Sequence, residues 1–480
     1  MKERNLRSVR RDAGGSQSQA KVAAAVSLNR HGVGRCLGAI SLKLGPFRAA
    51  LGRIPSRCRP ALYFETLYNI GTGAFFSLFL LSPVVLITIL DGNERHLAFL
   101  GTMFGMSSLL SPFVSYVGRR VPMRSLVLYP TLILGGFLIA TAAPWGGAAW
   151  FTGTIGLATV ISVCPRVAEM NMYRLLYPAT HRGAAVGWLK AVASVSSLIV
   201  MLLAYGWFGL RPQWYWVIYS LVAVLMVASA LSYQQIPVSR RNIFARRESV
   251  LPHHAFREGL MIFLTDRRFL LYQIAFFLAG TSNHMVMVFA PMIFKNATDA
   301  SDSTIRLVVA VLPALATTLL APVWGRFLDR INPMFGRATF NLIQCVAFSF
   351  YAYGGIQAKI WPFVVGVLLL GAAHGGGLIN WLTGSLYFAR SDQISLYNAI
   401  HVSLTGIRAV LCPLIGLYLI SPSGLNLGPR IYIVSTLLSC LGGVMMLYQG
   451  FTDPGPRDAT AQRSVLDKKG GLDQSEFTEP

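Results

Sequence analysis

Residues 62–90 read LYFETLYNIGTGAFFSLFLLSPVVLITIL, a stretch in which Glu65 is the one charged side chain. A helix needs about 20 mostly apolar residues to cross the hydrocarbon core of a bilayer, because no water is present there to satisfy its backbone. The whole chain has the same character, since 54% of its 480 residues are hydrophobic, 13% are charged and its mean hydropathy is +0.53. This composition predicts an integral membrane protein and excludes a disordered chain or a soluble globule.

Eleven further stretches are long and apolar enough to cross a membrane. With the first they predict twelve transmembrane helices, at 62–90, 96–118, 124–144, 149–173, 183–206, 214–236, 269–294, 305–326, 339–357, 361–387, 395–420 and 431–451. Connections are short except at 237–268, an Arg-rich segment that divides six stretches from six. We therefore predict an all-α integral membrane fold of two six-helix halves, 61–236 and 269–451, joined by a cytoplasmic linker at 237–268.

The formal charge of +23 is concentrated outside the apolar stretches. Residues 1–60 hold 13 Lys or Arg and two acids, and the other basic residues recur at loop-like intervals, which argues against a nucleic-acid-binding protein. The tail at 1–60 fits a disordered arm on anionic lipid, an organellar transit peptide, or sequence translated upstream of the true start. Residues 452–480 fit a solvated, disordered tail.

The loop charges predict the orientation of the chain. With the N-terminus inside, the inner loops hold 16 Lys or Arg and the outer loops hold six. Basic residues are retained in the cytoplasm during insertion, so we expect both termini to be cytoplasmic. The tail lacks the apolar core of a cleaved secretory signal. The expected location is the plasma (inner) membrane, with the lipid bilayer as a partner.

Two loops carry related motifs. The segment at 325–337 reads GRFLDRINPMFGR and the segment at 111–120 reads SPFVSYVGRR, each following the second stretch of its half. The segment at 325–337 resembles the G-x-x-x-D-R-x-G-R signature of the major facilitator superfamily, with Asn332 at the position of the second glycine. The segment at 111–120 keeps the Gly-Arg-Arg end of this signature but has Ser115 in place of the acid. A positive-inside turn is the alternative for each loop. The candidate gating-loop residues are Gly325, Asp329, Arg330, Gly118, Arg119 and Arg120.

The resemblance implies a central cavity between the halves, lined by helices other than the third, sixth, ninth and twelfth. Five charged residues lie inside the predicted spans, and all five are on the first, fourth, fifth and eleventh: Glu65, Arg166, Glu169, Lys190 and Arg408. Charged side chains that face lipid raise the free energy of the protein, whereas those that face a water-filled cavity do not.

Polar residues spaced at i, i+3, i+4 and i+7 share one face on six of the predicted helices. The candidates for substrate binding are Arg408, Arg166, Lys190, His284, His374, Asn398 and His401. Glu169 ranks first for proton coupling and Glu65 second. Other interpretations stay open, namely an intrahelical pair of Arg166 with Glu169, a Lys190 that snorkels to the cytoplasmic face, a structural Arg408, and histidines satisfied by neighbours.

No sequence motif indicates soluble-enzyme chemistry. The chain has no P-loop, HExxH or GxSxG, and its six cysteines form no CxxC pair, so we expect no enzyme, cofactor or metal site. The resemblance instead implies a secondary transporter of a small solute that works by alternating access. A membrane receptor or scaffold that kept the fold is the alternative, and an integral-membrane enzyme is a third hypothesis.

The intramembrane charges indicate the kind of solute. Three cations face two acids there, so an organic anion is favoured over a sugar or a cationic drug. Protons or a counter-transported anion are the expected coupling partners, and the protein is expected to be a monomer.

Overall fold

The computed structural model describes residues 55–117, 121–143, 146–177, 179–236, 252–328, 331–389 and 393–453, and all regular structure in these ranges is helical. The predictions for residues 1–54, 237–251 and 454–480 lie outside the described residues, whereas residues 56–60 of the predicted N-terminal tail are helical.

Six helical units make up the first half, and some are divided by a short break. They are α1 (Arg59–Thr88), α2 (Glu94–Leu109, extended by Ser111–Val117), α3 (Met123–Ala140), α4 (Gly147–Ile161 and Val163–Leu176), α5 (Ala179–Leu210) and α6 (Trp216–Tyr233).

Six more units make up the second half. They are α7 (Arg267–Val286, continued by Met287–Phe289 and Ala290–Ala297), α8 (Asp302–Arg306, the π-helical Leu307–Val311 and Leu312–Leu328), α9 (Pro333–Ile356), α10 (Ile360–Thr383, ending in the 3-10 turn Gly384–Tyr387), α11 (Ile394–Ile420) and α12 (Ile431–Thr452). A further helix that the sequence analysis did not predict, Pro252–Thr265, precedes α7 within the linker.

The predicted fold class is confirmed. Eleven helices among the described residues are long and apolar enough to cross a membrane, and they match eleven of the twelve predicted spans. The remaining span is α9, which is 24 residues long but more polar than the others. Its buried side chains include Arg337, Asn341 and Gln344, which face the protein interior rather than lipid.

Several helices begin where the sequence supplies an N-cap. Asn332 accepts a hydrogen bond from the amide of Met334 at 2.9 Å, and Pro333 occupies the first helical position of α9. Asp266 caps α7 by accepting from the amide of Phe269 at 3.3 Å. These caps fix where the polar residues of the following turns lie.

The two halves repeat one packing scheme. In the first half α1 packs on α5 and α6, α3 on α4 and α6, and α2 on α4. In the second half the same pairs recur six helices later, as α7 on α11 and α12, α9 on α10 and α12, and α8 on α10. The halves meet where α2 packs on α11 and α5 on α8. This repeated pattern is the predicted arrangement of six helices and six.

The contact between α2 and α11 depends on glycine. A Cβ on Gly105 would overlap the backbone of Ala409, so the missing side chain lets the two helices approach closely. Both α1 and α7 begin on one side of the bundle, here termed the linker side. Opposite that side one apolar core joins both halves, whereas on the linker side each half has separate clusters. The bundle is therefore sealed opposite the linker.

Candidate functional site

Arg408 lies near the middle of α11 and faces α7. Only 3% of its surface is exposed. Its Nη1 atom donates a hydrogen bond to the carbonyl oxygen of Phe276 at 2.7 Å, and its guanidinium carbon lies 5.1 Å from the centre of the Phe276 ring. Its Nε atom is buried without a hydrogen-bond partner. Among the described residues, Arg408 forms no ion pair within 4.0 Å.

Gly280 makes room for this arginine. A Cβ at position 280 of α7 would overlap Nη1 and Cζ of Arg408. Gly280 lies seven residues after Gln273 on the same face of α7, and this face meets the polar face of α11.

A second arginine, Arg337, shares the Phe276 ring with Arg408. Its guanidinium carbon lies 4.1 Å from the ring centre, and the residue is 9% exposed. Arg337 makes no hydrogen bond or ion pair to any residue that the structure describes, and its Nε is buried without a partner. This site residue is not among the sequence-based candidates, because the loop motif at 325–337 predicts a cytoplasmic loop there. In fact α9 starts at Pro333, which places Arg337 one turn inside the helix.

Polar and aromatic side chains complete the surroundings of the two arginines. Nδ1 of His401 lies 3.1 Å from Oε1 of Gln273, and the His401 ring meets the Phe276 ring edge to face at 4.5 Å. Trp381 of α10 donates to the hydroxyl of Thr405 at 3.4 Å. A small, narrow pocket borders Arg408 and is lined by Gln273, Phe276, Phe277, Leu404, Thr405 and Arg408.

Two charged residues of the first half form an ion pair across helices. Nζ of Lys190, on α5, lies 3.0 Å from Oε1 of Glu169, on α4, and the hydroxyl of Tyr173 donates to the same oxygen. The suggested ion pair of Arg166 with Glu169 does not form. Arg166 instead donates from Nη2 to the hydroxyl of Ser162, one turn earlier, at 3.2 Å. Lys190 therefore has an acidic partner and does not simply snorkel.

Glu65 of α1 is fully buried and has a different environment. The hydroxyl of Tyr177 donates to its Oε2, while its Oε1 has no hydrogen-bond partner. No Lys or Arg that the structure describes lies within 4.0 Å of this carboxyl. Tyr177 lies just beyond the membrane-spanning part of α4, and burial, followed by the nearby charge of Glu65, raises the pKa of its phenol above the ordinary value. Tyr177 thus stays a proton donor to Glu65.

The other predicted site residues are less closely engaged. The ring centre of His284 lies 6.2 Å from that of Phe104, on α2 of the other half. His374 and Asn398 are half-buried on α10 and α11. Gly325 falls within α8, and the remaining gating-loop candidates, Asp329, Arg330, Gly118, Arg119 and Arg120, lie outside the described residues.

The charges of the two halves are therefore distributed unequally. The membrane interior of the first half contains two cations and two acids, and one of the acids, Glu169, forms an ion pair with one of the cations, Lys190. In the interior of the second half, over the residues that the structure describes, two arginines share one ring without an acid. This half offers a buried, positively charged site next to a pocket.

Part of the chain matches a known protein family. The family model for the Major Facilitator Superfamily matches residues 274–472, which include α8 to α12 and most of α7. This match covers most of the second half of the chain, which therefore resembles the Major Facilitator Superfamily in sequence. The fold of the chain places both arginine-bearing helices, α9 and α11, inside the matched region.

Solved structures of several transporters share this fold. A D-xylose-proton symporter matches with a TM-score of 0.61 at 15% identity, over 82% of this chain and 97% of its own. The nucleoside transporter NupG matches with a TM-score of 0.63 at 12% identity, over 81% and 99% of the two chains. Tetrameric PepTSo2 matches with a TM-score of 0.58 at 15% identity, over 85% and 99%. No curated protein sequence matches significantly.

The predicted family and the many membrane-spanning helices are confirmed by these findings, and the chain has a transporter fold. Within this fold, the charged side chains described in the protein interior lie on α1, α4, α5, α9 and α11, and a further buried arginine, Arg306, lies on α8. The expectation that α9 would not carry a charge inside the protein was wrong, because Arg337 is buried there.

Proposed function

We propose that this protein is a secondary transporter that moves a small organic anion across the plasma (inner) membrane by alternating access. The observation that carries the proposal is the buried guanidinium of Arg408, which forms no ion pair with a described residue and lies beside a pocket formed by α7 and α11. An anionic solute would occupy that pocket and pair with the arginine.

The contacts that the structure describes do not offset the cost of burying two guanidinium groups close together, which supports an anionic ligand at this site. Burying an ion costs several kcal/mol even after the protein relaxes. A contact with the face of Phe276 stabilises each guanidinium by about 0.5–2 kcal/mol. The two guanidinium carbons are at most about 9 Å apart, from their distances to one ring centre. At an effective dielectric constant of 20 they then repel each other by at least about 2 kcal/mol. A carboxylate or phosphate would offset this repulsion and match the planar fork of arginine.

The arrangement of the apolar cores supports alternating access. The halves share one core opposite the linker and keep separate cores on the linker side. A solute would therefore enter this state from the linker side, and rocking about the contact of α2 with α11 would expose the site to the other side. With both termini cytoplasmic, the state described here faces the cytoplasm. We propose that the transporter acts as a monomer.

Two acids are candidates for coupling to protons. Glu169 already has Lys190 and Tyr173 as partners, whereas among the described residues the carboxyl of Glu65 accepts a hydrogen bond only from the hydroxyl of Tyr177. A buried carboxyl without a cation is the better place to bind a proton, because its charged form has less compensation. The contacts therefore favour Glu65 over Glu169, which reverses the ranking from the sequence. Exchange against a second anion is the alternative form of coupling.

The test is uptake of labelled carboxylates and phosphate esters into liposomes that contain the purified protein. We expect uptake of at least one anion, driven by a pH gradient or by an anion loaded inside, and little uptake with Arg408→Gln. Arg306→Gln is the matched control, since Arg306 is also a buried arginine of the second half but lies on α8, outside the site. Binding without flux would support a receptor or scaffold instead.

A further inference from the structure

Arg337 and Arg408 approach one aromatic ring from different helices, α9 and α11. Their guanidinium carbons lie 4.1 and 5.1 Å from the centre of the Phe276 ring. Neither arginine forms an ion pair with a described residue, and both have a buried Nε without a partner. Arg408 and the Phe276 ring line the pocket, and Arg337 contacts the same ring, so the two cations form a site with two positive charges.

We propose that the cargo carries two negative charges, one for Arg408 and one for Arg337, and that Arg337 sets this preference. The inference rests on the proposed function, since it takes the pocket beside Arg408 to be the place where the cargo binds. A short dicarboxylate fits the chemistry, because each end can accept paired hydrogen bonds from one guanidinium.

Among the residues that the structure describes, no acid pairs with Arg337 to supply the second charge. The acids of the second half with described contacts lie at helix ends, and those contacts are made elsewhere. Asp266 caps α7 and accepts from Tyr397 at 2.7 Å, while Asp453 pairs with Arg268. In the first half, Glu169 is paired with Lys190. A monoanion would therefore neutralise only one of the two arginines.

The contacts of the two arginines also assign them different roles. Arg408 is anchored by the Phe276 carbonyl and borders the pocket directly. Arg337 is held by the ring of Phe276 and not by a hydrogen bond to a described residue. A cargo with one charge would bind at Arg408, and a second charge would add the contact with Arg337.

The experiment measures the affinity of the purified full-length protein for matched pairs of probes. Each pair is a dicarboxylate and its monoamide, which has nearly the same size and one charge fewer, such as succinate with succinamate and glutarate with glutaramate. At a pH where both carboxylates of the diacid are ionised, we expect the dianion of at least one pair to bind about tenfold or more tightly than its monoamide.

Substitution of Arg337 should remove that difference. In Arg337→Gln the dianion and the monoamide should bind within about twofold of each other, with the affinity for the monoamide close to that of the unmodified protein. Arg408→Gln should weaken the binding of both the dianion and the monoamide. Arg306→Gln, the buried arginine outside the site, should leave the ratio unchanged.

A second variant tests the idea even if Arg337→Gln does not fold. A Cβ on Gly377 of α10 would lie 3.8 Å from Nη1 of Arg337. Gly377→Asp would therefore place a carboxylate of the protein where the second charge of the cargo is expected. This variant should have a higher melting temperature without ligand and should favour succinamate over succinate.

The outcomes separate this inference from the proposed function. If monoamides bind as tightly as the dianions in the unmodified protein, the two-charge preference is wrong while anion binding stands. If the protein prefers the dianion to its monoamide and Arg337→Gln keeps that preference, Arg337 does not determine the preference. If no anion binds and none is transported, the proposed function fails and this inference fails with it.

Discussion

Lys190 of α5 and Glu169 of α4 form an ion pair with 3.0 Å between Nζ and Oε1. The two residues lie on different helices, and this pair neutralises a carboxyl that is otherwise buried. Glu65, on α1, has no such partner among the described residues. The two acids of the first half are thus chemically distinct although the sequence presents them alike.

This difference predicts opposite effects of two Glu→Gln substitutions. Glu65→Gln should abolish uptake driven by a pH gradient and spare exchange, because it removes the carboxyl that binds the proton. Glu169→Gln should keep the response to the gradient and lower stability by about 1 kcal/mol, since the Lys190 side chain is 37% exposed and water screens the loss. Uptake with and without a pH gradient, set beside thermal melting, measures both effects.

A double variant controls for the pair itself. Glu169→Gln with Lys190→Met removes both charges and should recover part of the lost stability. If Glu169→Gln alone abolished the response to the gradient while Glu65→Gln kept it, proton coupling would belong to Glu169, as the sequence ranking had it.

Gly280 offers a test of the Arg408 position that leaves Arg408 itself in place. Gly280→Ala should displace the guanidinium, lower the free energy of unfolding by about 1–3 kcal/mol and weaken anion binding about tenfold. Gly136→Ala on α3 is the matched control, since a Cβ there meets nothing within 4 Å. Adding Arg408→Gln to Gly280→Ala should restore stability without restoring binding. Unchanged affinity in Gly280→Ala would show that the Arg408 position is not critical.

The sequence predicted the helices well because lipid imposes a simple rule on length and polarity. It also predicted the polar faces of α7 and α11, which the structure brings together through Gln273 and His401. Helical periodicity defines a face but not the helix that this face meets. The pairing of Glu169 with Lys190 rather than with Arg166 could therefore not be derived from spacing alone.

Arg337 was missed for a local reason. Asn332 and Pro333 were taken as part of a loop, yet this pair is also a strong helix start, with asparagine as the N-cap and proline in the first turn. Had the helix been started at Pro333, Arg337 would have been counted among the buried cations. The signal was in the sequence, and the choice between loop and helix start required the structure.

Lys295 contacts both halves on the sealed side of the bundle, and we expect this contact to oppose opening of that side. Its Nζ donates to the carbonyl of Ile87 in the first half at 3.0 Å and lies 3.4 Å from Oδ1 of Asp302 in the second. Lys295→Ala should favour the state open opposite the linker by up to about fivefold, because a partly exposed contact is worth at most about 1 kcal/mol. The distance between spin labels at Arg95 and Asp299 measures this population. Lys359→Ala, an exposed lysine on the same side, should leave it unchanged.

Arg408 is the residue on which anion binding depends most, and two substitutions separate a binding role from a structural one. Arg408→Lys keeps the charge and loses the planar fork, whereas Arg408→Gln loses both. If Arg408 binds the anion, affinity should fall about tenfold with Lys and further with Gln, while the melting temperature changes little or rises as an unpaired buried charge is removed. A structural arginine would instead lower yield and melting temperature in both variants, because the carbonyl of Phe276 loses its donor. Ligand affinity measured beside thermal stability distinguishes the two, and a stable Gln variant with normal affinity would rule out the binding role.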